Sequence, residues 1–269
     1  MENKGLFQKL LALFLILLVP VFILSNYSLF RSKHDSSIHF STNFIPQNEY
    51  LTEKSFVFVL HINDNDPLFE QNLHSIFSQK YDHYRVIVLY SENDLQYLQK
   101  IKQLAAKENK IHLISFMESQ GSFVTLDTYC RAIHSCKDDE IVIQLDPNDW
   151  LAHEHVLTRL NETYSGSPDV WLTYSQYLEY PSYRKGNGEP YIKQMLRNRN
   201  MRNIPYLSAH FKTYYAGLFK QLKPDLSVTF NRPLEPETVE VYILPMVEVS
   251  KNHIRYIDDV LYIHNISGF

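Results

Sequence analysis

An α/β fold, a mainly parallel sheet flanked by helices and preceded by an N-terminal transmembrane helix, is the architecture this sequence predicts. Two observations predict it. Short β-rich apolar runs alternate with segments of helical periodicity from residue 55 to residue 145, and an unbroken apolar run stands near the N-terminus. Glycine, at 7 of 269 residues, is too scarce and too scattered to write either G-x-G-x-x-G or G-x-x-x-x-G-K-[ST].

The first element is the apolar run at 10–24 (LLALFLILLVPVFIL), preceded by Lys4 and Lys9. At 1.5 Å per residue it reaches only about 22 Å, short of a hydrocarbon core of about 30 Å. Extension through Ser25-Asn26-Tyr27-Ser28-Leu29-Phe30 supplies the missing length and puts Tyr27 at the interface. A cleaved signal peptide fits the same basic start, but no A-x-A-like site follows, which favours an uncleaved anchor. Arg31 and Lys33 balance Lys4 and Lys9, so the flanks leave the side of the domain undetermined. A single-pass membrane protein is expected: anchor at 1–31, polar stalk at 32–54, globular domain at 55–265.

Within the domain, residues 55–62 (SFVFVLHI) read as a buried strand, closed by the turn formers Asn63-Asp64-Asn65-Asp66-Pro67. Leu68, Phe69, Leu73, Ile76 and Phe77 recur at helical spacing, and 84–89 (YRVIVL) makes the second strand. Leu95, Leu98, Ile101, Leu104 and Ala105 mark another helix, 111–116 a third strand, 123–136 a further helix and 141–145 a fourth strand. Strand–helix repetition of this kind implies parallel pairing with helices on both faces. Ligands in such sheets bind beyond the carboxyl ends of strands, which points to the loops at 63–66, 90–94 and 146–149.

The second half is less regular and rich in tyrosine. Strands are expected at 170–174, 204–215, 226–230 and 254–263, with a loop-rich stretch at 177–203. A helix is expected to start at Pro236 and to carry Val239, Tyr242, Ile243, Met246 and Val247 on one face, with a kink at Pro245.

Charge and cysteine exclude other classes. With 26 basic and 30 acidic residues the net charge is −4, so nothing electrostatic suggests a nucleic-acid partner. Cys130 and Cys136 lie six residues apart in one expected helix and point away from each other, so neither a local disulfide nor a structural zinc site is expected.

The most informative segment is 141–151 (IVIQLDPNDWL), a buried strand running into an acidic turn. Residues two apart in an extended turn face the same way, so Asp146 and Asn148 can address one ligand. Such oxygens suit a hard divalent cation, Mg²⁺ or Mn²⁺, completed by phosphates and water. An Asx turn followed by a helix cap accounts for the same residues without any ligand.

The order of elements adds to this. The strand at 55–62, the pattern Leu73-x-x-Ile76-x-x-Gln79-x-Tyr81, the strand at 84–89 and the strand ending LDPNDWL resemble the inverting family 2 nucleotide-sugar glycosyltransferases. The resemblance is good over 55–175 and continues more weakly through 210–219 (HFKTYYAGLF) to about residue 262, as in a bacterial branch of that family. It implies a GT-A fold, with 55–150 as the nucleotide-sugar half and 151–265 as the acceptor half. It also implies a donor held by Asn63, Tyr90, Glu92, Asp94 and Asp146, a cation held by Asp146, Asn148 and Asp149, and an acceptor contacted by Trp150 and His210. The acceptor would be a glycan, lipid or protein.

Three positions depart from the family. Tyr90-Ser91 stands where Asp-Asp holds the nucleotide base, with Glu92 and Asp94 the nearest acids, and Asn148 replaces the second Asp of the D-x-D. The general-base aspartate falls near Val239, flanked by Glu237 and Glu240, and either is a candidate catalytic carboxylate. Acids at a helix start also simply favour the helix dipole. A catalytically inactive GT-A-like module that binds a glycan or protein partner is the alternative these departures leave open. His153-Glu154-His155 lacks helical metal-pair spacing and reads as a solvated helix start. The basic cluster from Arg184 to Arg202 reads either as an acceptor or phosphate contact or as a solvated loop.

Overall fold

The computed structural model describes residues 53–62, 68–91, 95–116, 126–186, 211–222 and 240–267. The apolar run at 10–24, most of the stalk, the turn at 63–67, the stretch at 187–210 and the strand expected at 226–230 lie outside them. Among the described residues no helix is long and apolar enough to cross a membrane.

β1 (Phe56–His61) is the centre of a parallel layer. Five of its six residues are buried, as a strand covered on both faces requires. It pairs in parallel with β2 (Tyr84–Ser91) on one side, Phe56 opposite Tyr84, and with β4 (Ile141–Gln144) on the other, Phe56 opposite Ile141. β3 (Ile111–Phe116) adds outside β2. The connections are α1 (Phe69–Phe77), α2 (Leu95–Lys107) and α3 (Leu126–His134), which is why these strands run the same way.

Beyond β4 the expected pattern changes. The short β5 (Trp150–Leu151) and α4 (Val156–Gly166) lead to β6 (Leu172–Tyr180), which turns back into β7 (Arg184–Lys185). β8 (Lys212–Tyr215) is inserted between β4 and β6, antiparallel to both. It leads into α5 (Ala216–Gln221); α6 (Glu240–Ser250) and β9 (Ile254–Asn265) follow. The full order is β3-β2-β1-β4-β8-β6-β9-β5 with β7 on β6. β9 is parallel to β6 and antiparallel to β5. The sheet is therefore mixed rather than mainly parallel. Side-chain alternation reports that a segment is a strand but not which way it runs.

The tyrosine-rich second half builds core. Tyr164, Tyr214, Tyr215 and Tyr262 are all fully buried or nearly so. Their hydroxyls need partners there, and the Tyr164 hydroxyl meets Thr213 Oγ1 at 2.8 Å while the Tyr129 and Tyr214 hydroxyls meet at 2.8 Å. Ile243, Met246 and Val247 of α6 face the core as their spacing predicts, and the helix runs on through Pro245. Its expected start at 236 lies outside the described residues. Both thiols are free.

One ion pair braces the parallel layer near the N-terminal ends of β2 and β4. Arg85 donates to Glu140 through Nε at 3.0 Å and Nη2 at 2.9 Å, a bidentate pair. Burial alone would raise the Glu140 carboxyl, but the Arg85 bonds and the Lys137 N–H outweigh it and hold the group below the usual carboxylate range. A lowered carboxylate contributes stability that is present above its unfolded value and lost as pH falls through its folded value. Melting temperatures taken from pH 7 to pH 3 are therefore expected to drop more steeply for the native chain than for Glu140→Gln, the two converging in acid; parallel curves would contradict this.

Candidate functional site

The rim of the parallel layer is where β1, β2 and β4 end, and the acidic turn begins two residues past β4. The turn closes on itself: the Asp149 N–H donates to the Asp146 carbonyl at 3.0 Å, and the Asn148 N–H donates to Asp146 Oδ1 at 2.9 Å. The second bond is the expected Asx turn, but the helix cap expected with it is not formed, because a short strand follows the turn and the next helix starts only at Val156 after His155. The bond engages one oxygen of a carboxylate whose residue is exposed.

α1 holds this turn from below. Asn72, fully buried, donates through Nδ2 to the carbonyls of Asp146 (3.0 Å) and Asp149 (2.6 Å). Ser75 Oγ accepts the Leu151 N–H at 3.0 Å. Gln79 accepts the Leu157 N–H at 3.1 Å and donates to the His153 carbonyl at 2.7 Å. The Tyr81 hydroxyl donates to the Lys54 carbonyl at 2.6 Å, tying the end of the stalk to the domain. Gln79 of the sequence pattern thus clamps the backbone that follows β4, while Tyr81 holds Lys54 ahead of β1; Asn72 and Ser75, which clamp the same backbone as Gln79, were not legible as part of it. Their only sequence signal is a row of polar residues beside the apolar face of α1.

Asp149 does not share the rim with Asp146. It is 1% exposed, and its Oδ1 accepts the Asn265 N–H at 2.9 Å and a bond from His264 Nδ1 at 3.0 Å. Burial pushes its carboxyl above the ordinary value despite those bonds. The bond to Asp149 pushes the His264 imidazole up in turn, against the effect of burial. The carboxylate thereby fastens the turn to the end of β9, two strand positions beyond the pairing of Trp150 with Ile263. His264 and Asn265 were missed by sequence reasoning, although a polar pair directly after the apolar run at 260–263 is a detectable signal.

The other expected site residues divide by position. Asn148 is half-buried, and Tyr90 is half-buried one residue before the end of β2, next to the buried Ser91. Trp150 is largely buried and meets the Tyr180 ring edge-on at 5.2 Å. Glu240 opens α6. Asn63, Glu92, Asp94, His210 and Glu237 lie outside the described residues. Among the described residues no group of three or more His, Cys, Asp or Glu is placed to hold a metal ion. The arrangement can nevertheless present the exposed Asp146 carboxylate, on a turn held by the Asn72 bonds, to a ligand above the strand ends.

No family model and no curated protein matches the chain by sequence. Solved structures do match by shape. The crystal structure of S. aureus TarS 1-349 aligns at a TM-score of 0.57 and 18% identity over 78% of this chain and 60% of that one. The same protein in complex with UDP-GlcNAc aligns at 0.57 and 17% over 80% and 59%. The mannosyltransferase PcManGT from Pyrobaculum calidifontis, in complex with GDP-Man and Mn2+, aligns at 0.53 and 15% over 89% and 64%. The chain thus spans less than two thirds of the length of these structures. What is shared is the fold: a mixed α/β sheet flanked by helices, of the GT-A-like kind.

Proposed function

We propose that the chain is a membrane-anchored family 2-like glycosyltransferase that moves a sugar from a nucleotide-diphosphate donor to an acceptor hydroxyl, with inversion and with a divalent cation. The observation that carries this reading is the position of Asp146, an exposed carboxylate just past the central strand β4, at the rim where open α/β sheets receive ligands. Fold neighbours with UDP-GlcNAc, or with GDP-Man and Mn2+, support it.

The donor set fits a small hard cation: Asp146 would hold it with the Asn148 side-chain oxygen, while Asp149, turned inward, would not. When bound, the cation supplies positive charge against the diphosphate leaving group. The protein's own part is to place the nucleotide between Asn63, Tyr90, Glu92 and Asp94. Glu237 or Glu240 takes the acceptor proton. The acceptor oxygen bonds to the anomeric carbon as the bond to the diphosphate breaks, and the electron pair leaves with the diphosphate.

A second reading, an inactive GT-A-like module that binds a glycan or protein, is favoured by the inward Asp149 and by Tyr90-Ser91 at the end of β2. Thermal unfolding with UDP or GDP plus Mn²⁺ tests the nucleotide site. At ligand about 100-fold above Kd the stabilisation is about 2.7 kcal/mol, or roughly 5 °C or more for a domain of this size. No rise with either nucleotide overturns the proposal. Turnover of UDP-GlcNAc or GDP-Man that falls in Glu237→Gln or Glu240→Gln excludes the inactive reading.

A further inference from the structure

β6 and β7 form a hairpin whose tip is Pro181-Ser182-Tyr183. Tyr183 has a backbone φ of 53°, in the left-handed region, where a side chain costs about 1–2 kcal/mol and glycine is the usual occupant. The tyrosine is nevertheless 57% exposed, so core packing does not account for its presence. Ile266, 49% exposed, is the other large hydrophobic side chain exposed among the described residues, and both meet the end of β6. The Tyr183 N–H donates to the Glu179 carbonyl, and the Ile266 N–H donates to the Tyr180 carbonyl.

The rings form a path inward. Tyr183 meets Tyr180 edge-on at 5.8 Å, Tyr180 meets Trp150 edge-on at 5.2 Å, and Trp150 directly follows Asp149 of the acidic turn. Beside this path, Arg184 Nη2 and Glu179 Oε2 pair at 2.9 Å, with the Arg184 side chain 75% exposed.

We infer that this hairpin tip is the acceptor subsite and that the acceptor is a saccharide chain, its C–H face laid on Tyr183 and its hydroxyls bonded to Glu179 and Arg184. The inference rests on the glycosyltransferase reading and chooses the glycan among its acceptors. The mixed chemistry argues for this occupant. A lipid surface or an apolar partner helix gains from an unbroken apolar area, whereas here an ion pair borders the exposed ring. A pyranose presents both apolar C–H faces and hydroxyls that donate and accept. The aromatic path also joins this patch to the turn where the donor is placed.

The test uses saturation-transfer NMR on the full chain with cellotetraose, chitotetraose and mannotetraose and, as the lipid probe, with dihexanoylphosphatidylglycerol below its micelle concentration. Tyr183→Gly removes the ring at a backbone position that suits glycine, and Tyr183→Phe keeps the ring. At least one oligosaccharide is expected to bind, with affinity falling roughly tenfold in Tyr183→Gly and staying near the native value in Tyr183→Phe. Binding of none of the three, equal binding by Tyr183→Gly, or short-chain lipid binding lost in that variant without a saccharide effect overturns the inference. The nucleotide-induced thermal shift, read on the same samples, separates failure of this subsite from failure of the glycosyltransferase reading.

Discussion

Asp149→Ala is expected to lose about 3 kcal/mol of folding stability, a drop of roughly 6–12 °C in melting temperature for a domain of this size. The reason is what the substitution leaves behind. The Asn265 N–H and His264 Nδ1 both point at a carboxylate that is 1% exposed, and water does not reach that position to replace it. Asp149→Asn retains one acceptor oxygen and is expected to lose about half as much. The pH dependence follows from the raised His264 value. A base raised by its partner contributes stability that is fully present below its unfolded value and lost as pH rises through its folded value. The native chain is therefore expected to lose stability as pH rises above the ordinary histidine value, a loss that His264→Gln does not show. Chemical denaturation at several pH values measures both effects. A loss below about 1 kcal/mol in Asp149→Ala would mean that the turn and the last strand are held together by other means.

Asp146→Ala is expected to do the opposite: to leave the fold nearly intact and to remove function. The residue is exposed, and its carboxylate makes one local bond, to the Asn148 N–H, worth about 1 kcal/mol. If it holds the cation against the donor diphosphate, the variant loses the Mn²⁺-dependent thermal shift with UDP or GDP. It also loses sugar transfer by about 100-fold or more. Asp146→Asn separates the two roles, because it keeps an oxygen to accept the Asn148 N–H and drops the charge. It is expected to melt like the native chain and still fail to respond to nucleotide with Mn²⁺. A native-sized shift in both variants would remove Asp146 from the donor site and, with it, the observation on which the functional proposal stands.

These two aspartates, three residues apart, show where reading residues in order stops. Their side chains are chemically the same and both fall in one acidic turn, so the sequence ranks them together as ligands. Which one faces solvent depends on His264 and Asn265, more than a hundred residues away, and on Asn72 beneath the turn. No local periodicity carries that information.

Elsewhere the local signal was enough. The near-continuous apolar run of β1 could be stable only as a central strand, and the helical spacing of Leu73 and Ile76 placed α1 against it. The four parallel strands were determined by the chain alone, because a crossover helix between strands leaves no other arrangement. The second half lacked that rule. Direction there came from β8 sliding between β4 and β6, and from β9 joining β6 along its whole length, pairings between segments distant in the chain. Tyr164 and Tyr214 can stand in the core because Thr213 and Tyr129, far from them in the chain, meet their hydroxyls. The sequence by itself determined the strands, the helices and the carboxylates available. Only the tertiary structure decided which of those carboxylates is spent holding the fold and which stands exposed at its rim, because burial depends on partners the local sequence does not name.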